Sequence, residues 1–308
     1  MRRLAFFLFL LLTALLCKGA EDSNTLVLPR EKVLPLTLEK KEIFIAGQKK
    51  FQVLTDHYEI IASLPEDGIL VAERMEFLGH VWDLLAADFV KEPEKEPVQH
   101  RHRVILYRNK QEYVSNLLRL DSAIAQTNGY YFAPRKTAYF YTPEPKVLFH
   151  EGTHQIFVER FYRGKKPAFR NNFWAVEGIA LFMETLQVEE KCYKIGNIFD
   201  NRLYAAKVYR FERNYHLPIQ KLTAMSAKEI QNSEEMVRIY SHSAALVHWL
   251  MFVEEGRYRE ALFELLRRTY LDTAKPETLS KLTNLSYEEL DKKYEEFLKT
   301  IPDEPNHE

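Results

Sequence analysis

Apolar positions along the chain follow two different periods, and the change from one to the other separates its elements. Residues 37–45 and 50–55 carry Leu38, Ile43, Ile45, Phe51 and Val53 in partial two-residue alternation, which predicts two short strands paired as a hairpin. From 67 to 90 the spacing lengthens to three and four. Ile69, Ala72, Met75, Leu78, Val81, Leu84 and Leu85 form one stripe, which predicts a long amphipathic helix. Residues 103–108 read as a buried strand. Asn109 with Glu112 predicts a capping box for a helix through Leu120, and 129–132 and 136–141 read as two further strands. The charged stretch 91–97 is a connection. Beyond 142 the pattern is mainly helical, from about 144 to 162, again at 173–184, and on to about 298, with Ser286 and Glu289 capping the last segment. The fold class is α+β: a mixed α/β part over 37–141 with a small sheet and a mainly helical part over 142–300, read as one domain. Residues 301–308 form a tail.

Composition supports this reading and narrows the partners. With 46% hydrophobic residues the chain buries a substantial core, while ten Gly and 13 Pro are too few for a turn-rich all-β protein. Lys plus Arg number 43 against 44 Asp plus Glu, so no basic field draws phosphate backbones, and nucleic acid is not an expected partner.

The N-terminus reads as a targeting segment. Arg2 and Arg3 precede an apolar run over 4–16, followed by the small residues Cys17 and Gly19, which predicts a secretory signal over 1–19 cleaved after Gly19. The run is shorter than the roughly 20 residues of a spanning helix, so no stable membrane span is expected in the mature chain. Leu16 disfavours lipid attachment at Cys17, because the residue before a lipidated cysteine is normally small. The mature protein is expected outside the cytoplasm, periplasmic or secreted. A polar leader over 20–36 follows the signal. Cys192 is then the one remaining cysteine, and an internal disulfide is excluded.

The chemistry is concentrated at His150-Glu151-Gly152-Thr153-His154, an H-E-x-x-H motif inside a predicted helix. Residues four apart stack on one helix face, so both imidazoles reach one Zn²⁺ while Glu151, turned aside by about 100°, stands beside a metal-bound water. A catalytic zinc takes a third protein ligand. Glu177 is the candidate, because it and Glu184 interrupt an otherwise apolar helix, and a buried carboxylate requires a partner. Gly178 and Ala180 would let that helix approach the histidine helix closely. Glu184 is a candidate to hold a ligating imidazole from behind.

With these residues in view, the order H-E-x-x-H, 19 residues, then W-x-x-E-G-x-A-x-x-x-E, which leaves 22 residues between His154 and Glu177, resembles the gluzincin clan of zinc metallopeptidases, most closely its small peptidase-MA-like branch. The resemblance continues through Leu217-Pro218-Ile219 with Leu222 and a helix bearing Tyr240 near its start. It implies a zincin-like α+β fold and hydrolysis of a peptide or protein substrate by a zinc-activated water, with Glu151 as general base. It also implies that 136–141 is the edge strand over the cleft, so that Thr137, Ala138 and Tyr139 pair with an extended substrate. Tyr240, or else His242, stabilises the oxyanion. The chain departs from the wider clan in lacking a G-x-M-E-N segment and an N-E-x-x-S-D run around Glu177. Phe157 and Arg160 exclude the metzincin pattern.

Two other readings are weighed against it. One is a non-catalytic zincin-like peptide-binding module with a structural or vestigial zinc; retention of Glu151 argues against it. The other is a helical scaffold with a chance motif, which predicts no stoichiometric metal. The run from His100 to Arg103 has metal or anion binding as one reading, but because it precedes a strand it reads as a solvated approach, and Cys192 has no neighbouring histidine signature for a nucleophile.

Overall fold

The computed structural model describes residues 24–30, 38–89, 100–161 and 167–303. The predicted signal and the 91–97 connection lie outside the described residues, as do the first residues of the turn after the histidine helix. The strands are β1 (Leu26–Pro29), β2 (Glu39–Ile45), β3 (Gln48–Leu54), β4 (Tyr58–Ala62), β5 (His102–Leu106), β6 (Gly129–Phe132), β7 (Thr137–Phe140), β8 (Gln187–Val188) and β9 (Cys192–Ile195). Two units divide the chain, Lys32–Lys166 and Pro167–Glu308 with Met1–Glu31. The split falls after the histidine helix, whereas the sequence places its change of character before it, at 141.

In the first unit six strands form one sheet in the order β2-β3-β4-β5-β7-β6. The predicted hairpin is β2 and β3, and β4 adds to it antiparallel. The pairs β4–β5 and β5–β7 are parallel, and β6 returns antiparallel to β7. A parallel step needs a crossover, which here is helix α1 (Pro65–Phe89) between β4 and β5. Proline stands at its first position and Glu66 and Asp67 in its first turn, all favourable at a helix N-terminus. Ala72, Met75, Leu78, Val81 and Leu85 of the predicted stripe are buried, with Val71 and Trp82 beside them, while Ile69 and Leu84 are half-buried. Helix α2 (Lys110–Leu117) is capped by Asn109, whose side chain accepts from Glu112 N–H at 2.9 Å. Glu112 returns its bond to Arg108 N–H, one residue before the cap. Helix α3 (Pro145–Phe161) completes the unit.

Strand β4 is the element the pattern leaves unmarked. It is buried almost throughout, so Ile60, Ile61 and Ala62 run consecutively without alternation. The strand order corrects a second expectation. β7 has β5 on one side and β6 on the other, so the backbone of Thr137, Ala138 and Tyr139 is already paired and all three are buried. They cannot receive a substrate strand. The edge at that end of the sheet is β6.

The second unit is mainly helical: α4 (Phe173–Met183), α5 (Asn201–Phe211), α6 (Ile219–Ala224), α7 (Ala227–Gln231), α8 (Met236–Gly256), α9 (Arg259–Tyr270), α10 (Thr278–Thr283) and α11 (Tyr287–Thr300). All eleven residues of α4 are buried, which its near-continuous apolar sequence dictates. A Cβ added to Gly178 would stand 2.7 Å from the Ser243 carbonyl oxygen, so this glycine lets α4 lie against α8. The last turn of α8 leaves helical geometry at Val253, and Glu254, Glu255 and Gly256 take positive φ. Ser286 and Glu289 form the predicted capping box of α11. The polar leader contributes structure that its composition does not announce: β1 pairs antiparallel with β9, in a three-stranded sheet ordered β1-β9-β8. The tail begins with a buried Ile301, and Lys207 pairs with Asp303 at 2.6 Å. Among the described residues no helix is long and apolar enough to cross a membrane.

Candidate metal centre

Helix α3 is held in one rotational setting by three contacts along its length. Gly152 faces α1, where a Cβ would stand 2.5 Å from Leu78 Cδ2 and 2.7 Å from Met75 Cε. Gln155 Nε2 donates to the Arg103 carbonyl of β5 at 3.0 Å. Near the helix end Glu159 receives His100 and His102. Phe157 adds an edge-on contact to Trp82, with ring centroids 4.8 Å apart.

That setting leaves His150 and His154 half-buried with their Nε2 atoms 3.2 Å apart. Two nitrogen ligands at about 2.0–2.1 Å from a tetrahedral zinc lie about 3.3–3.4 Å apart, so the pair fits one ion with little adjustment. Without a metal, one N–H···N bond spans the same gap. Glu151 is turned aside as the helix period requires, and its Oε2 accepts from the Tyr131 backbone N–H at 2.9 Å. Tyr131 lies on the edge strand β6. Its N–H points to Glu151 and not into the ladder, so the outer rim of β6 runs beside the carboxylate. Tyr131 is a site residue that the sequence does not single out, because strand order decides it.

The other predicted residues belong to the helical unit. Glu177 is buried, and it is the one charged residue of α4. Burial, with the charge of Glu177 added, raises the Tyr270 phenol well above its ordinary pKa. Glu184 caps the end of α4 and pairs with Arg202 at 3.5 Å. Tyr240 is half-buried near the start of α8. His242, two residues on, is buried, and burial first, then His216 and Arg210, push its pKa down to about 4. Its Nδ1 lies 3.0 Å from Tyr294 Oη, whose own proton goes to the His242 carbonyl at 3.3 Å. His248 is buried against Phe182, Phe252 and Phe297, and burial takes its pKa down to about 3.

Two further His/Glu groups come together in the first unit. His100 and His102 are not a solvated approach: His102 is buried, and both rings bond to the buried Glu159. Burial alone would raise the Glu159 pKa, but His102, His100 and Gln155 hold it below its ordinary value. His57 places Nδ1 2.7 Å from Glu76 and Nε2 2.9 Å from Asp83, and His80 reaches Glu76 at 3.3 Å. Burial opposes the His57 charge, yet the two carboxylates win and raise its pKa to about 10. Glu76 and His80 stand at i and i+4 on α1, the one local signal for this group. Cys192 is buried, with Sγ 3.4 Å from Glu189 Oε2. No protein-family model and no curated protein matches the chain at a significant level.

Proposed function

We propose that the protein is an exported zinc-dependent metallopeptidase of the gluzincin type, with His150, His154 and Glu177 as metal ligands and a peptide or protein as substrate. The observation that carries the reading is the 3.2 Å imidazole pair flanked by a carboxylate that the edge strand holds in place. Zinc bound there supplies Lewis acidity, lowering the pKa of water and polarising the scissile carbonyl.

The chain's own residues supply the rest. Glu151 takes the proton from the attacking water and delivers it to the leaving amine. Its bond to Tyr131 N–H fixes one carboxylate oxygen and keeps the other for that transfer. An extended peptide lying along the outer rim of β6 adds a strand beside Glu151. Tyr240 donates a hydrogen bond from its hydroxyl to the developing oxyanion and keeps its proton. Glu177 brings a negative charge from a wholly buried helix, where a metal is a natural partner.

The test is Glu151→Gln in the full chain. Zinc content is expected to stay near one per histidine pair while cleavage of a peptide library falls by about 10³-fold, within the range for a lost general base. Unchanged cleavage would refute catalysis at this site. An unmodified protein that binds zinc and peptide but cuts nothing would leave the binding-module reading standing.

A further inference from the structure

His100 and His102 stand two residues apart where the chain enters β5, so their side chains leave the same face. Both rings aim at a single atom. His100 Nε2 and His102 Nδ1 each lie 2.9 Å from Glu159 Oε2. Glu159 comes from α3 with a side chain only 1% exposed, and a charge that deep demands compensation. A divalent cation held between the two rings and the carboxylate supplies that compensation. The other carboxylate oxygen, Oε1, accepts from the Tyr131 hydroxyl at 3.4 Å, the kind of outer contact that orients a ligating carboxylate.

The three ligand atoms lie within 4.8 Å of one another. Two imidazole nitrogens and one carboxylate oxygen suit a zinc-class ion, since calcium and magnesium prefer oxygen throughout. His100 is 48% exposed at its side chain, so the fourth position faces water. The His57 group differs. That ring spends its two nitrogens on two separate carboxylates, which is the arrangement of a bridging imidazolium.

We infer that His100, His102 and Glu159 form a second transition-metal site of the zinc class, independent of the His150 and His154 pair. Its ligands come from a strand and a helix, so a bound ion cross-links β5 to α3. Such a link stabilises a chain whose cysteines offer no internal disulfide once the signal is removed.

The experiment titrates Co²⁺, then Zn²⁺, into the untagged full chain and follows the visible absorption of cobalt, the metal bound per chain and the thermal midpoint. A His150→Ala/His154→Ala chain should still bind about one ion and gain thermal stability from it. Adding His100→Ala, a half-exposed position that the fold tolerates, should weaken that binding at least tenfold and abolish the gain. Glu159→Gln should do the same while preserving side-chain size. The inference is overturned if the His150→Ala/His154→Ala chain binds no cobalt, or if His100→Ala and Glu159→Gln leave its binding unchanged. If instead the unmodified chain holds one ion that is lost only in the His100→Ala variant, this site stands and the catalytic reading fails.

Discussion

Helices α3 and α8 each carry two histidines, in opposite conditions. On α3, His150 and His154 are spaced by one turn, half-buried, and turn their nitrogens toward each other. On α8, His242 and His248 are buried among aromatic rings, with pKa values pushed down to about 4 and about 3. The first pair gathers lone pairs at one point that solvent can reach. The second fills volume. Burial and convergence of donor atoms are therefore separate properties of a histidine in this protein.

Replacing one histidine of each pair gives the largest contrast. His154→Ala is expected to weaken zinc binding at the α3 pair by at least 100-fold with little loss of stability. His248→Ala should leave zinc untouched and cost about 3 kcal/mol, because it opens a cavity in a packed core. Metal analysis and urea denaturation on both variants check this. If His154→Ala binds as much zinc per chain as the unmodified protein, the two helices do not differ in the way described.

The glycines of α3 and α4 extend the comparison to packing. Gly178→Ala drives a Cβ against the Ser243 backbone carbonyl, which cannot rotate away, and should cost about 3 kcal/mol. Gly152→Ala meets the ends of Leu78 and Met75, which can move, and should cost about 1 kcal/mol. Equal denaturation midpoints for the two variants would contradict that ordering.

Acid separates the histidines most finely. His248 has a folded pKa near 3 against an ordinary 6.5, so the folded state binds fewer protons than the unfolded chain between these values. Its contribution is complete above pH 6.5 and is lost as pH falls through that window, at about 1 kcal/mol per pH unit. Phe182, Phe252 and Phe297 line its ring, while His242 faces Tyr215, Tyr294, His216 and Arg210. His248→Leu should flatten the stability profile between pH 4 and 6.5. An unchanged slope would mean that the ring is not buried in its neutral form.

Much of the local structure is legible in the sequence. The stripe from Ile69 to Leu85 specifies α1, and the Ser286 and Glu289 pair specifies the start of α11, because periodicity and caps act over a few residues. β4 and β1 escape that reading. The first is buried too completely to alternate, and the second owes its existence to β9, more than 160 residues away along the chain. Gly178 was expected to bring α4 to the histidine helix, yet the close approach it permits is to Ser243 of α8. A glycine reports that something comes near and leaves open what it is.

By itself the sequence determined the spacing of His150, Glu151 and His154 on one helix, since that geometry follows from 3.6 residues per turn. It also determined the buried character of α4, because a run so apolar has no other stable place. Only the tertiary structure decided that β7 lies inside the sheet and β6 at its edge, that Tyr131 holds Glu151, and that Glu159 meets His100 and His102. Each of these rests on pairing between distant segments. Such pairing is selected by the packing of the whole sheet, which no local pattern encodes.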